Sequence, residues 1–277
     1  MPRVCQSVRA RWSRLAHFVL PNPCPLCGNL TRGSVSVSGA SSARGLLCEG
    51  CDAAYWNEAR LRCAVCALPL ASARRGMQRR DGAEAERGRH RCEACLKTPP
   101  AFDATLALAD YRAPLDGLAR GLKFRARLAL GEEFARRLAL ATEDWLDAAE
   151  SAANGVTDVP DLIVPVPLSR ERLIERGYNQ AWLIAKPLAR ALGTRADATL
   201  LRRTLHTAPQ SKLDRETRRR NVGRAFALRR TDLRGLHLGV VDDVMTSGAT
   251  LDALARTLKA AGARRVTNFV ALRTPKD

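Results

Sequence analysis

The spacing of apolar positions changes character about a third of the way along the chain. From residue 104 onward, short apolar runs alternate with amphipathic segments. Residues 104–111, 162–167, 236–241 and 266–272 are short and predominantly apolar, which predicts buried strands. Residues 114–124, 128–149, 179–192 and 250–261 predict helices. In the last of these, Leu251, Leu254, Ala255 and Leu258 fall at i, i+3, i+4 and i+7, one stripe of a helix, and Gly262 follows as a stop. Gly193 ends 179–192 in the same way. Residues 151–158 read as a polar loop. Strands alternating with helices predict a parallel sheet covered by helices, an α/β fold.

The first hundred residues lack this alternation. They contain turn-rich or charged stretches at 33–45 and 74–91, and the change falls at Thr98-Pro99-Pro100. The expected organisation is a small module over 1–100, opening with a helix, and a globular domain over 101–277.

Composition narrows the class. With 46% hydrophobic and 27% charged residues in 277, the chain is not a disordered one. No apolar run reaches the roughly 18 residues of a membrane span. The apolar stretch 15–20 is too short for the core of a signal peptide, so a cytoplasmic protein is expected. The net charge is +18, from 46 basic residues of which 40 are Arg. Such a surface attracts polyanions, nucleic acid or phosphorylated substrates. An Arg- and Ala-rich composition from a GC-rich genome gives the same excess. Residues 1–100 and 101–277 each carry +9, so charge alone assigns no function.

The cysteines are more specific. Eight of nine form CxxC pairs: Cys24 and Cys27, Cys48 and Cys51, Cys63 and Cys66, Cys92 and Cys95. Without an export signal, thiolate metal ligands are favoured over disulfides. Sequential pairing predicts two four-cysteine sites, each resembling a zinc ribbon. Redox-active pairs and an iron–sulfur cluster are the rival readings. A closed four-cysteine site folds its module and does no chemistry. Cys5 is left over as a free thiol, and His17, His90 and His237 read as structural.

A second signal is Val240-Val241-Asp242-Asp243-Val244-Met245-Thr246-Ser247-Gly248-Ala249-Thr250. A buried strand runs into two carboxylates and then into a hydroxyl-rich turn that opens a helix. Backbone N–H groups at a helix N-terminus hold phosphate, aided by the dipole. Thr246, Ser247 and Thr250 add hydroxyls, Gly248 admits close backbone approach, and Ala249 continues into the helix. Asp242 and Asp243 can accept hydrogen bonds from the vicinal hydroxyls of a ribose. Adjacent carboxylates at the end of an apolar strand repel each other, which argues against a merely capping role. The stretch resembles the phosphoribosyl pyrophosphate (PRPP) motif of type I phosphoribosyltransferases.

Taken with Leu122-Lys123-Phe124, Val164-Pro165-Val166-Pro167-Leu168-Ser169, residues 172–181, Thr207-Ala208-Pro209-Gln210-Ser211 and Arg218-Arg219-Arg220-Asn221-Val222, the chain resembles the ComF family (the ComFC and GntX-like group) over nearly its whole length. That resemblance implies a double zinc ribbon, with two structural Zn²⁺ ions, fused to a type I phosphoribosyltransferase-like domain. It also implies a role in natural transformation: uptake and handling of single-stranded DNA in the cytoplasm, with partners in the DNA-uptake machinery.

By the same resemblance, the segment holding Val166, Pro167 and Arg170 corresponds to a pyrophosphate loop, and Lys123 lies near the site. Residues 202–220, with seven Lys or Arg against two acids, correspond to a basic loop closing over PRPP, to which Arg202 and Lys212 belong. Mg²⁺ accompanies PRPP, and a nucleophile displaces pyrophosphate at the anomeric carbon. Positioning and charge neutralisation then suffice, without a protein nucleophile. One of Asp242 and Asp243 would face the developing positive charge. No base-reading hood is apparent in the sequence, so the acceptor is open. Two classes stand: an enzyme, and a PRPP-sensing, nucleic-acid-binding or adaptor module. Aromatic content of 5% weakens a base-stacking platform, although Trp12, Tyr55 and Trp56 lie in the N-terminal module.

Overall fold

The computed structural model describes residues 23–30, 46–56, 61–70, 90–151, 158–204 and 225–276. The segment expected to open the chain with a helix, most of the polar loop 151–158, and the basic loop with Lys212 lie outside the described residues. The chain forms two compact units, Met1–Asn57 and Glu58–Asp277.

In the first unit, an antiparallel bridge between Pro23 and Leu30 closes a turn around Cys24 and Cys27. Cys48 precedes helix α1 (Glu49–Tyr55), which carries Cys51. The second unit repeats this arrangement. A bridge between Arg62 and Pro69 closes a turn around Cys63 and Cys66, and Cys92 precedes helix α2 (Glu93–Lys97), which carries Cys95.

The remainder of the second unit is the expected α/β domain. Its elements in chain order are β1 (Ala104–Asp110), α3 (Asp116–Phe124), α4 (Ala129–Ser151), β2 (Leu162–Pro165), α5 (Arg170–Arg176), α6 (Gln180–Ala191), β3 (Arg195–Ala196), β4 (Leu201–Arg203), β5 (Phe226–Leu228), β6 (His237–Met245), α7 (Ala249–Ala260) and β7 (Arg265–Arg273). Five strands form a sheet in the order β1-β7-β6-β2-β3, and every pairing in it is parallel. β4 and β5 form a separate antiparallel pair that brackets the undescribed residues 205–224. β6, β2 and β7 are almost wholly buried, as expected of strands covered on both faces. The predicted stripe of α7 is the one it buries. α4 and α6 approach so closely that a Cβ on Gly131 would lie 2.8 Å from Leu183 Cβ.

Three features depart from the sequence expectations. The units divide at Asn57, well before the composition break at 98–100. Cys63, Cys66, Cys92 and Cys95 share one hydrophobic cluster with Phe102, Val164, Met245 and Leu254, and such long-range packing leaves no trace in local composition. Residues 170–176 form a helix, capped by the Ser169 side chain and ended by Gly177 at φ 78°. It buries none of its residues, so no apolar stripe announced it. Lastly, β6 runs four residues past Val241, because Asp242, Val244 and Met245 stay in register with Val270, Leu272 and Arg273 of β7.

His237 opens β6 fully buried. Its Nε2 lies 2.8 Å from Thr267 Oγ1 and its Nδ1 3.2 Å from Asp158 Oδ1, the structural role expected of it. Burial lowers its pKa to about 4, with Arg265 and Arg264 acting in the same direction against the attraction of Asp158 and Asp161. In the unfolded chain the imidazole titrates near 6.5. Between those values the unfolded state binds the extra proton, so stability falls as pH falls. His237 alone should therefore cost about 3 kcal/mol between pH 7 and pH 4. Denaturant unfolding across that range should show a flatter pH slope in His237→Gln; an unchanged slope would remove His237 as its source.

Candidate phosphate and carboxylate site

β6 is the central strand, and β2 pairs beside it with Pro165 opposite Val241. Both strands end on the same side of the sheet, where adjacent carboxyl ends of parallel strands open a crevice for ligands. The exit of β6 supplies Asp242, Asp243 and the hydroxyl-rich loop. The exit of β2 supplies Val166, Pro167 and Arg170.

Asp243 is buried at 2% exposure. Its Oδ2 lies 3.6 Å from Lys123 Nζ, which brings the sequence-predicted lysine to the acid pair. Its Oδ1 accepts from Gln180 Nε2 at 3.3 Å. Asp242 is partly exposed, and its Oδ1 accepts from the Asp243 N–H at 2.9 Å. Burial within the strand and then the Asp243 carboxylate raise the Asp242 carboxyl well above the ordinary carboxylate range, with Lys123 opposing them. Two acids and one lysine at the end of a buried strand favour whatever supplies hydroxyl or cationic partners.

The segment before α6 fixes this arrangement. Tyr178 OH donates to Leu122 O at the end of α3. The Asn179 carboxamide caps α6 by accepting from Ala181 N at 2.9 Å, and it donates to Val166 O at 3.0 Å. Gln180 bonds Asp243 and also accepts from Arg176, whose guanidinium lies over the Phe124 ring at 5.5 Å. Gln180 and Arg176 lie in the stretch 172–181 that carries the family resemblance, but no role was read for either from the sequence. Gln180 lies 63 residues from its carboxylate partner; its one local sign is a polar residue opening an otherwise apolar helix face.

In the loop, Thr246, Ser247, Ala249 and Thr250 are exposed. Ser247 Oγ accepts from Ala249 N at 3.4 Å. Gly248 sits at φ 79°, where a Cβ would come 2.6 Å from Met245 Cε, so the turn requires glycine. Gly248, the N-cap residue of α7, has no side chain to cap it, which leaves first-turn N–H groups beyond Ala249 for an anion. At the β2 exit, Val166 N–H donates to Val241 O at 2.9 Å, and Pro167 has no N–H. The pyrophosphate loop that the resemblance implies for this segment therefore has no main-chain donor at these two residues. Arg170 is exposed on the first turn of α5, and Arg202 is exposed on β4.

The thiols gather as predicted. Cys24, Cys27, Cys48 and Cys51 form one group and Cys63, Cys66, Cys92 and Cys95 another, with the sulfurs of each within 4.8 Å of one another. In the second group, Cys92 N–H donates to Cys63 Sγ at 3.3 Å. The Cys66 thiol and the main-chain N–H groups of Cys66, Cys92 and Val65 outweigh burial and lower Cys63 to about 4, while Cys66 itself is pushed up. In the first group, burial works against ionisation of Cys24, but N–H groups of Cys48, Cys27 and Leu26 bring it to about 6. Four convergent sulfurs with N–H support form a donor set that can hold zinc.

The chain thus combines a parallel α/β sheet, with acids and a helix N-terminus converging at one end, with tetracysteine groups that fit zinc ribbons. No family model matches the chain. The DNA utilization protein YhgH of Salmonella typhimurium is 37% identical over 183 residues, covering 66% of this chain and 78% of that protein. Competence protein F of Haemophilus influenzae is 31% identical over 187 residues, covering 67% and 79%. The chain belongs to the ComF family, which unites competence protein F, ComFC and YhgH. Among solved structures, a purine phosphoribosyltransferase from Pyrococcus horikoshii aligns with 51% of this chain and 83% of its own, at a TM-score of 0.30 and 17% identity. That likeness is too slight to say anything of activity. No helix among the described residues is long and apolar enough to cross a membrane.

Proposed function

We propose that the chain binds PRPP with Mg²⁺ at the C-terminal end of β6 and handles single-stranded DNA in the cytoplasm during natural transformation. The observation that carries the reading is the continuity of Asp242, Asp243 and the uncapped N-terminus of α7 on one strand exit. The carboxylates would hold the ribose hydroxyls, and the loop Thr246–Thr250 would hold the 5′-phosphate through its N–H groups and hydroxyls. Lys123 and Gln180 orient Asp243, and Arg170, Arg202 and Lys212 supply charge for the pyrophosphate. Mg²⁺ arriving with PRPP would supply charge neutralisation for the pyrophosphate. The names of the relatives, a DNA utilization protein and competence proteins, support the DNA role and partners in DNA uptake.

A titration with a labelled single-stranded oligonucleotide across a salt series, with and without PRPP and Mg²⁺, tests this reading. Log affinity should fall linearly with log salt, with a slope of about −0.7 per phosphate contacted. If the basic loop is the contact surface, neutralising Arg218, Arg219 and Arg220 flattens the slope and PRPP competes. If residues 1–100 bind the strand, PRPP is without effect. No binding at low salt removes DNA from the partners. Pyrophosphate measured in the same mixtures separates a transferase, which releases it with an acceptor present, from a PRPP-sensing module, which binds without release.

A further inference from the structure

The second tetracysteine group is tied to the hydroxyl-rich loop by a single side chain. Arg273, in the last position of β7, is buried at 2% exposure. Its Nε donates to Cys66 O at 2.9 Å. Its Nη1 donates to Met245 O at 3.1 Å, to Thr274 O at 2.6 Å and to Thr246 O. One edge of the guanidinium thus holds the main chain of a cysteine turn. The other holds the main chain where β6 passes into the loop. A guanidinium is planar, always charged and rigid in its fork, so the two carbonyl sets cannot move independently without breaking bonds at a buried charge.

Neighbouring contacts run the same way. Arg62 donates to Ala67 O and to Asp110 Oδ1, both at 2.9 Å, fixing the cysteine turn to β1 beside Arg273. Asp252 Oδ1, in the first turn of α7, accepts from Ala101 N at 2.7 Å, just beyond the helix that carries Cys95. The Phe102 ring lies 3.9 Å from the position a Gly248 Cβ would occupy. Cys63, Cys66, Cys92 and Cys95 lie in the same hydrophobic cluster as Met245, Leu251 and Leu254.

We propose that Arg273 is a positioning residue that couples the second tetracysteine group to the loop Thr246–Thr250, so that metal held by the cysteines and a phosphate ester held by the loop each strengthen the binding of the other. This rests on the reading of that loop as a phosphate site. Metal draws Cys66 into a fixed turn, Cys66 O fixes Arg273, and Arg273 fixes the carbonyls of Met245 and Thr246 from which the loop departs. Coupling between binding sites is reciprocal. A ligand on the loop must therefore raise the metal affinity of a group it never touches.

The test uses full-length, zinc-loaded protein with Cys24→Ser and Cys27→Ser, so that only the second group holds metal. Calorimetry first measures PRPP binding with Mg²⁺. Zinc affinity is then measured by equilibrium competition with a chromogenic chelator, with and without PRPP. The affinity should rise about tenfold with PRPP, within the usual span of coupling between sites. In Arg273→Lys, which keeps the charge but cannot reach both carbonyl sets, the gain should shrink below twofold and PRPP affinity should fall by a similar factor. PRPP that binds while zinc affinity is unchanged overturns the coupling and leaves the phosphate reading intact. An equal gain in Arg273→Lys overturns the role of Arg273. Failure of PRPP to bind overturns the phosphate reading itself, and the coupling with it.

Discussion

Asp242→Asn combined with Asp243→Asn should erase the thermal stabilisation that PRPP and Mg²⁺ give the wild-type protein. A ligand at a hundred times its Kd stabilises by about 2.7 kcal/mol, a shift of roughly 5–11 °C for a unit of this size. Asparagine can still accept a hydrogen bond from a ribose hydroxyl but brings no charge for the cation that accompanies pyrophosphate. The double variant should melt no lower than the wild type without ligand, because the two acids repel each other and burial already disfavours the ionised form of Asp242. Loss of the shift therefore reports a lost site and not a lost fold. The wild-type protein should also bind PRPP more weakly as pH falls, since protonation of Asp242 removes the charge the ligand requires. That loss should begin above the ordinary carboxylate range. Undiminished binding by the double variant would end the ribose role of these residues.

The two tetracysteine groups should respond very differently to the loss of one ligand. Elemental analysis of the wild-type protein is expected to give about two zinc ions per chain, and Cys24→Ser and Cys63→Ser should each lose one. Cys63 is 1% exposed within the cluster that includes Phe102, Val164 and Leu254. Cys63→Ser should thus lower the melting of the whole second unit, at a cost above about 4 kcal/mol, the range reserved for lost metals and broken buried networks. Cys24 belongs to the first unit, and Cys24→Ser should leave the melting of the second unit in place. Equal effects would mean that the Cys63 group is no more part of the α/β core than the Cys24 group is.

What the sequence disclosed follows from the range of each interaction. β1, β2, β6, β7 and α7 were legible because burial on a regular element writes a period into adjacent residues, whereas β3, β4 and β5, of two or three residues each, are too short to show one. The CxxC pairs were legible because a metal turn needs its ligands at fixed spacing. Asp242 and Asp243 stood out as charges at the end of an apolar run. Gln180 and Arg273 did not, since each is a polar residue whose partners are distant in sequence: Asp243 in one case, Cys66, 207 residues away, in the other. An arginine closing a strand reads as a surface residue until its neighbours are known. The dependence of Val166 N–H on Val241 O is likewise invisible locally, because it is decided by the register between β2 and β6.

The position of β7 has a consequence for how the protein is made. β7 lies between β1 and β6 yet follows both in the chain. During vectorial synthesis, β1 and β6 emerge with facing edges and no strand to join them, and Arg273 emerges later still. The cysteines of both groups have by then left the ribosome and can capture metal while the centre of the sheet is still open. Metal capture and core closure can therefore be separate events in time.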